Sequence, residues 1–232
     1  MSAPVYLLQW GPEDERDEVG EIRALLESDG YLNDLIEGQR ITRPDKNLFL
    51  LELKNIVSSS ELQILYLSCH GNQDGVGFKG NEPVSILFDE LFNVMKSADR
   101  DAKKPVTIIL GFCHAMDHPI KVEEFAPDWI FELVGFKESP TDLQVSELGA
   151  GIITDLVDFG KSLGKVFKTE WPKHYSNDEY LSIFERLSKK AYSQYDRKPE
   201  RYLRAKAENL IWAVNHGNGQ WKRENLEQFK RG

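Results

Sequence analysis

The chain has 232 residues and a formal charge of −9, with a sequence pI near 5.2. That length accommodates one large α/β domain, or one domain with an appendage, and buries a sizeable core. The acidic balance argues against a general nucleic-acid binder, which needs a basic surface to neutralise phosphate. The first residues lack the basic stretch and the apolar length of a signal peptide, and no later run approaches a membrane span. Two cysteines do not make a disulfide framework, and a reducing compartment keeps thiols free, so the expected location is cytoplasmic.

Val5 to Trp10 reads as a first strand, ended by Gly11-Pro12. Glu13 to Ser28 then places Val19, Ile22, Leu25 and Leu26 at helical spacing, with acidic residues in the early turns, where the helix dipole favours them, and Asp29-Gly30 as the stop. Tyr31 to Arg43 stays open: Leu35 to Thr42 alternates as a strand does, while Gly38 is a weak point in one. Asp45 to Ser58 is helical, and a buried strand from Leu62 ends at His70-Gly71. The glycine-rich Asn72 to Asn81 reads as turns around a short hairpin strand at Val76 to Phe78. Ser85 is an N-cap for a helix from Ile86 to Ser97.

A second buried strand, from Pro105, ends at Cys113-His114, and the polar His114 to Asp128 is expected to be an exposed loop beside it. Trp129 to Phe136 is another strand and Asp142 to Leu163 another helix. From Lys165 the composition changes, and Asn177 to Tyr195 and Pro199 to Val214 read as long, charged, amphipathic helices. This order implies an α/β fold with a mostly parallel sheet flanked by helices, because short connections and right-handed crossovers leave little else. The expected division is a domain over 1–164 and a helical C-terminal extension over 165–232.

Both cysteines lie at the ends of the two buried strands, each followed by a histidine: Cys69-His70 and Cys113-His114. Open α/β sheets place their sites outside the carboxyl ends of strands. A His from one strand end and a Cys from another are the parts of a thiol nucleophile and its base, since a neighbouring imidazolium favours the thiolate. Adjacent strand residues face opposite ways, so if His70 faces the site then Cys69 packs behind it. By the same alternation Tyr66 and Ser68 share a face with His70, where they either pack in the core or orient the imidazole.

Tyr66-Leu-Ser68-Cys-His70-Gly71 resembles the Tyr-x-Ser-x-His-Gly segment of metacaspases and other caspase-like cysteine peptidases, and Cys113-His114 resembles the Cys-His of their nucleophile segment. Weaker similarity to caspase-like and CHAT domains runs from about Val5 to about Leu163. The resemblance implies a caspase-like three-layer sandwich and a cysteine endopeptidase acting on protein or peptide substrates. It makes Cys113 the nucleophile and His70 the proton carrier, assigns the oxyanion to the N–H groups of Gly71 and Cys113, and makes His114 structural. It implies no cofactor and no metal. It also suggests regulation by a partner or by self-cleavage, and the C-terminal helices are the expected place for a regulatory protein partner. The alternative is an inactive CHAT-like or caspase-like interaction module.

Gly111 and Phe112 stand where metacaspases carry Asp and Ser before the nucleophile. The expected consequence is a wider, neutral substrate pocket at Gly111 and Phe112, unless Asp74, Glu123, Glu124 or Asp128 reaches in to replace the carboxylate. Zinc is the reading from another class, through Cys69, His70, Cys113 and His114, but adjacent residues rarely aim at one tetrahedral centre. Asn72 to Gly77 lacks the repeated acidic ligands of a calcium loop and is no phosphate-binding loop.

Overall fold

The computed structural model describes residues 4–28, 36–72, 74–79, 83–98, 100, 106–116, 122–137, 149–151, 153, 210–215 and 220–225. Five parallel strands make the centre: β1 (Val5–Trp10), β2 (Ile36–Ile41), β3 (Ile64–Gly71), β6 (Val106–Leu110) and β7 (Ile130–Phe136), in the order β2-β1-β3-β6-β7. Two more, β8 (Leu210–Asn215) and β9 (Trp221–Asn225), continue the sheet antiparallel beyond β7. A hairpin of β4 (Gly75–Phe78) and β5 (Val84–Leu87) hangs from the end of β3.

Helices cover both faces of this sheet, so every residue of β1, β6 and β7 is buried. Helix α1 (Glu18–Ser28) lies on one face: its Val19 fills the space above Gly38 of β2, and its Ile22 meets Tyr66 near the helical residue Gly149. Helices α2 (Lys46–Val57) and α3 (Phe88–Lys96) cover the other. There Phe49, Leu53, Leu91, Phe92 and Met95 join Leu8, Trp10, Leu65, Leu67 and Leu110 in one apolar cluster, with Trp10 stacked on Phe49 at 4.6 Å. Asp45 caps α2 by accepting from the Leu48 N–H at 3.0 Å, which satisfies one of the free donors of the first turn. Among the described residues no helix is long and apolar enough to cross a membrane.

The sheet resolves the open segment near Gly38. Residues 36–41 pair with β1, and the missing side chain of Gly38 is what lets Val19 approach, since a Cβ there would lie 2.7 Å from it. Two helix expectations are corrected. Ser85 does not cap a helix: Val84 to Leu87 pair with Gly75 to Phe78, and α3 begins only at Phe88. The expected helix over Pro199 to Val214 gives way at Leu210, where a β-branched and aromatic run pairs with β7.

The helical extension therefore does not describe 210–215 or 221–225, whose strands belong to the same sheet as β1. The expected helix over Asn177 to Tyr195 lies outside the described residues. Residues 149–151 and 153 are helical, within the expected helix over Asp142 to Leu163.

Candidate active site

The carboxyl ends of β3 and β6 meet at one place. Leu67 is paired with Leu110, and the Gly111 N–H donates to the Leu67 carbonyl at 2.8 Å. Three residues on from each partner stand His70 and Cys113. Gly71, the residue after His70, packs against the Cys113 backbone: a Cβ built on Gly71 would lie 2.1 Å from the Cys113 carbonyl oxygen. Only glycine fits beside this turn.

Cys113 opens the turn 113–116, in which His114 has a left-handed backbone with φ of 56°. Such a conformation is costly for a side chain other than glycine and persists where the surroundings hold it. The holding groups come from β7 and β9. Ala115 and Met116 are buried against Gly135, whose absent Cβ would lie 2.9 Å from the Met116 side chain, and the Met116 N–H donates to the Phe136 carbonyl at 2.9 Å. Arg223 of β9 donates from Nη1 to the Met116 carbonyl at 3.1 Å and from Nη2 to Glu123 at 2.7 Å. The expected exposed loop after Cys113 is thus packed at Ala115, Met116, Val122 and Glu123.

His70 meets a carboxylate that sequence reasoning assigns only to the helix dipole. Its Nε2 contacts Glu15, in the loop before α1, and both side chains are about one-third exposed. That loop is fixed from two strands. Arg40 of β2 donates to the carbonyls of Pro12 and Glu15, each at 2.6 Å, and the buried Gln9 of β1 donates to the Arg16 carbonyl at 2.7 Å.

One turn further on, Glu18 accepts hydrogen bonds from the Tyr66 hydroxyl at 3.1 Å and the Ser68 hydroxyl at 2.6 Å. The polar stripe Tyr66, Ser68, His70 is therefore matched along its length by Glu18 and Glu15. The legible signal for these partners was the stripe itself, since buried hydroxyls need acceptors, together with a helix that starts straight after β1 at the same end of the sheet.

Cys69 packs against the apolar cluster on the α2 and α3 side. Burial pushes its thiol well above the usual range, and the charges of Glu18, Cys113 and Glu15 add to the effect. It stays protonated at neutral pH and is a poor nucleophile. Burial, followed by Glu18, likewise raises Tyr66 well above an ordinary phenol.

The pocket expected at Gly111 is not open. The Tyr66 ring occupies it, and a Cβ at position 111 would lie 2.4 Å from the Tyr66 hydroxyl. Phe112 is 2% exposed and stacks on Phe88 at 6.0 Å, so it belongs to the core. Asp74 is exposed in the hairpin turn, where its N–H donates to Asn72 Oδ1 at 2.8 Å. Glu123 is buried and already engaged by Arg223. Among the described residues no three His, Cys, Asp or Glu side chains converge as metal ligands. No protein-family model and no curated protein matches the chain.

Proposed function

We propose that the protein is a caspase-like cysteine endopeptidase that cleaves protein or peptide substrates with Cys113 and His70. The observation that carries this reading is the packing of Gly71 against the Cys113 backbone, which brings the histidine-bearing strand end to the cysteine-bearing turn. The raised Cys69 thiol favours Cys113 of the two cysteines, and the Glu15 carboxylate on Nε2 supplies an orienting partner for the imidazole.

In this mechanism His70 takes the Cys113 proton, and the thiolate sulfur attacks the scissile carbonyl carbon. The N–H groups of Gly71 and Cys113 receive the charge that develops on the carbonyl oxygen. His70 returns the proton to the departing amine as the C–N bond breaks, which leaves an acyl-thioester. Water, deprotonated by the same imidazole, then releases the acid and restores the thiol. Glu15 holds the ring through Nε2. The cytoplasm, where thiols stay reduced, is the compartment that suits this chemistry.

The test is incubation with a protein mixture, comparing new N-termini made by the native chain with those made by Cys113→Ala. N-termini that depend on Cys113 support the reading. Identical sets from the two proteins would remove it.

A further inference from the structure

Arg223 sits on the last strand of the sheet, yet its guanidinium reaches both described sides of the chain that follows Cys113. Nη1 donates to the Met116 carbonyl, three residues after the cysteine, and Nε and Nη2 grip the two oxygens of Glu123, ten residues after it. Glu123 is 2% exposed. A carboxylate so buried persists only when paired and hydrogen-bonded, and the planar fork of an arginine satisfies both oxygens while keeping a further N–H for the Met116 carbonyl. A lysine ammonium in the same place reproduces the charge but not the fork.

Position 223 is fixed in turn by the sheet. It pairs with the fully buried Ala213 of β8, which pairs with Leu133 of β7, the strand whose last carbonyl accepts from Met116. The turn with the left-handed His114 is therefore suspended between the end of β7 and one side chain of β9.

From this we infer that Arg223 is a positioning residue for the nucleophile: it holds the 113–116 turn so that Cys113 faces His70, and it makes β9 a working part of the site. The inference rests on the reading of Cys113 as nucleophile. Its action is through Met116 and Glu123, with no contact to a substrate required.

The test is the rate of iodoacetamide alkylation at Cys113, read by mass spectrometry with Cys69 as the internal reference, in the full chain. Two variants are compared with the native protein: Arg223→Lys, which leaves a cation for Glu123, and the neutral pair Arg223→Gln with Glu123→Gln, which avoids an unpaired buried charge. His70→Ala is added to each background to close a double-mutant cycle. In the native chain Cys113 is expected to outpace free cysteine and to slow when His70 is removed. In both Arg223 variants its rate is expected to fall by roughly tenfold to a hundredfold, as an ångström-scale displacement of a reacting group does, and removal of His70 is expected to change it no further. A purely structural role lowers the melting temperature but leaves the dependence on His70 intact. Fast alkylation with undiminished dependence on His70 in both variants overturns the inference alone. A native Cys113 no faster than free cysteine and indifferent to His70 removes the nucleophile reading, and this inference with it.

Discussion

Glu15 and His70, 55 positions apart in the chain, are in side-chain contact through Nε2 of the imidazole. On the reading of His70 as the proton carrier, this contact orients the imidazole, the part an acidic group plays beside a catalytic histidine. Glu15→Gln is expected to lower Cys113-dependent cleavage on the order of a hundredfold, with partial recovery in Glu15→Asp. Glu18→Gln is the control, because Glu18 serves Tyr66 and Ser68. It should lower stability more than activity. Equal activity in the native protein and Glu15→Gln would mean that the contact is incidental.

The two cysteines separate cleanly by substitution. Cys113→Ala should abolish cleavage, a loss of several kcal/mol of transition-state stabilisation or about that order, with little change in melting temperature. Cys69→Ala removes a packed thiol that stays protonated, and should cost about 1 kcal/mol of stability and leave activity within a small factor. Active Cys113→Ala beside inactive Cys69→Ala would reassign the nucleophile.

Two glycines are expected to tolerate no side chain, with different consequences. At Gly111 an added Cβ meets the Tyr66 ring, so Gly111→Ala should destabilise by about 1–3 kcal/mol as overpacking does, measured by urea unfolding. At Gly71 the obstacle is the Cys113 carbonyl, which is backbone and cannot swing aside. Gly71→Ala should therefore displace the 113–116 turn and depress Cys113 alkylation beyond what its stability loss explains.

Stability should decline on the alkaline side. Tyr66 and Cys69 both have folded-state values raised well above their ordinary 10.0 and 9.0. Below pH 9 both are protonated in the folded and unfolded chain alike, and their contribution is fully present. As pH rises past 9 and then 10 the unfolded chain releases these protons first, and the native state loses stability until the raised folded values are passed. Arg100 opposes this, since burial lowers its guanidinium to about 10. Melting temperatures between pH 8 and 11 isolate the two groups: the slope should flatten in Cys69→Ala combined with Tyr66→Phe. An unchanged slope would place the alkaline sensitivity elsewhere.

What the sequence revealed followed the range over which each signal acts. The strands ending near His70 and near Cys113 are short, largely apolar runs, buried from Ile64 to Ser68 and from Val106 to Leu110, with turns behind them, and their pattern alone locates the carboxyl end of the sheet. The four-residue β5 is too short to show its period before α3 begins, and its alternating burial emerges only when Gly75 to Phe78 lie beside it. The run Leu210 to Asn215 fits a helix or a strand equally until β7 offers it an edge. At the site, residue types on one strand were legible, and contacts between strands were not. Nothing local in Glu15 marks it as the partner of His70, and the Tyr66 ring filling the space beside Gly111 depends on the spacing of two strands.

The tie between Arg223 and the Met116 carbonyl joins residues 107 positions apart, and this gives the site a timetable. At roughly 5–20 residues per second of synthesis, the ribosome adds the strand that steadies the turn after Cys113 some 5–20 s after the cysteine itself. Long-range pairings of this kind also form late in folding, because the loop between them must close first. A nascent chain, or one cut short before β9, carries its cysteine and histidine with the restraint on them still missing. On the reading of Cys113 as nucleophile, the thiol is made well before the strand that restrains its turn, and its competence waits on β9.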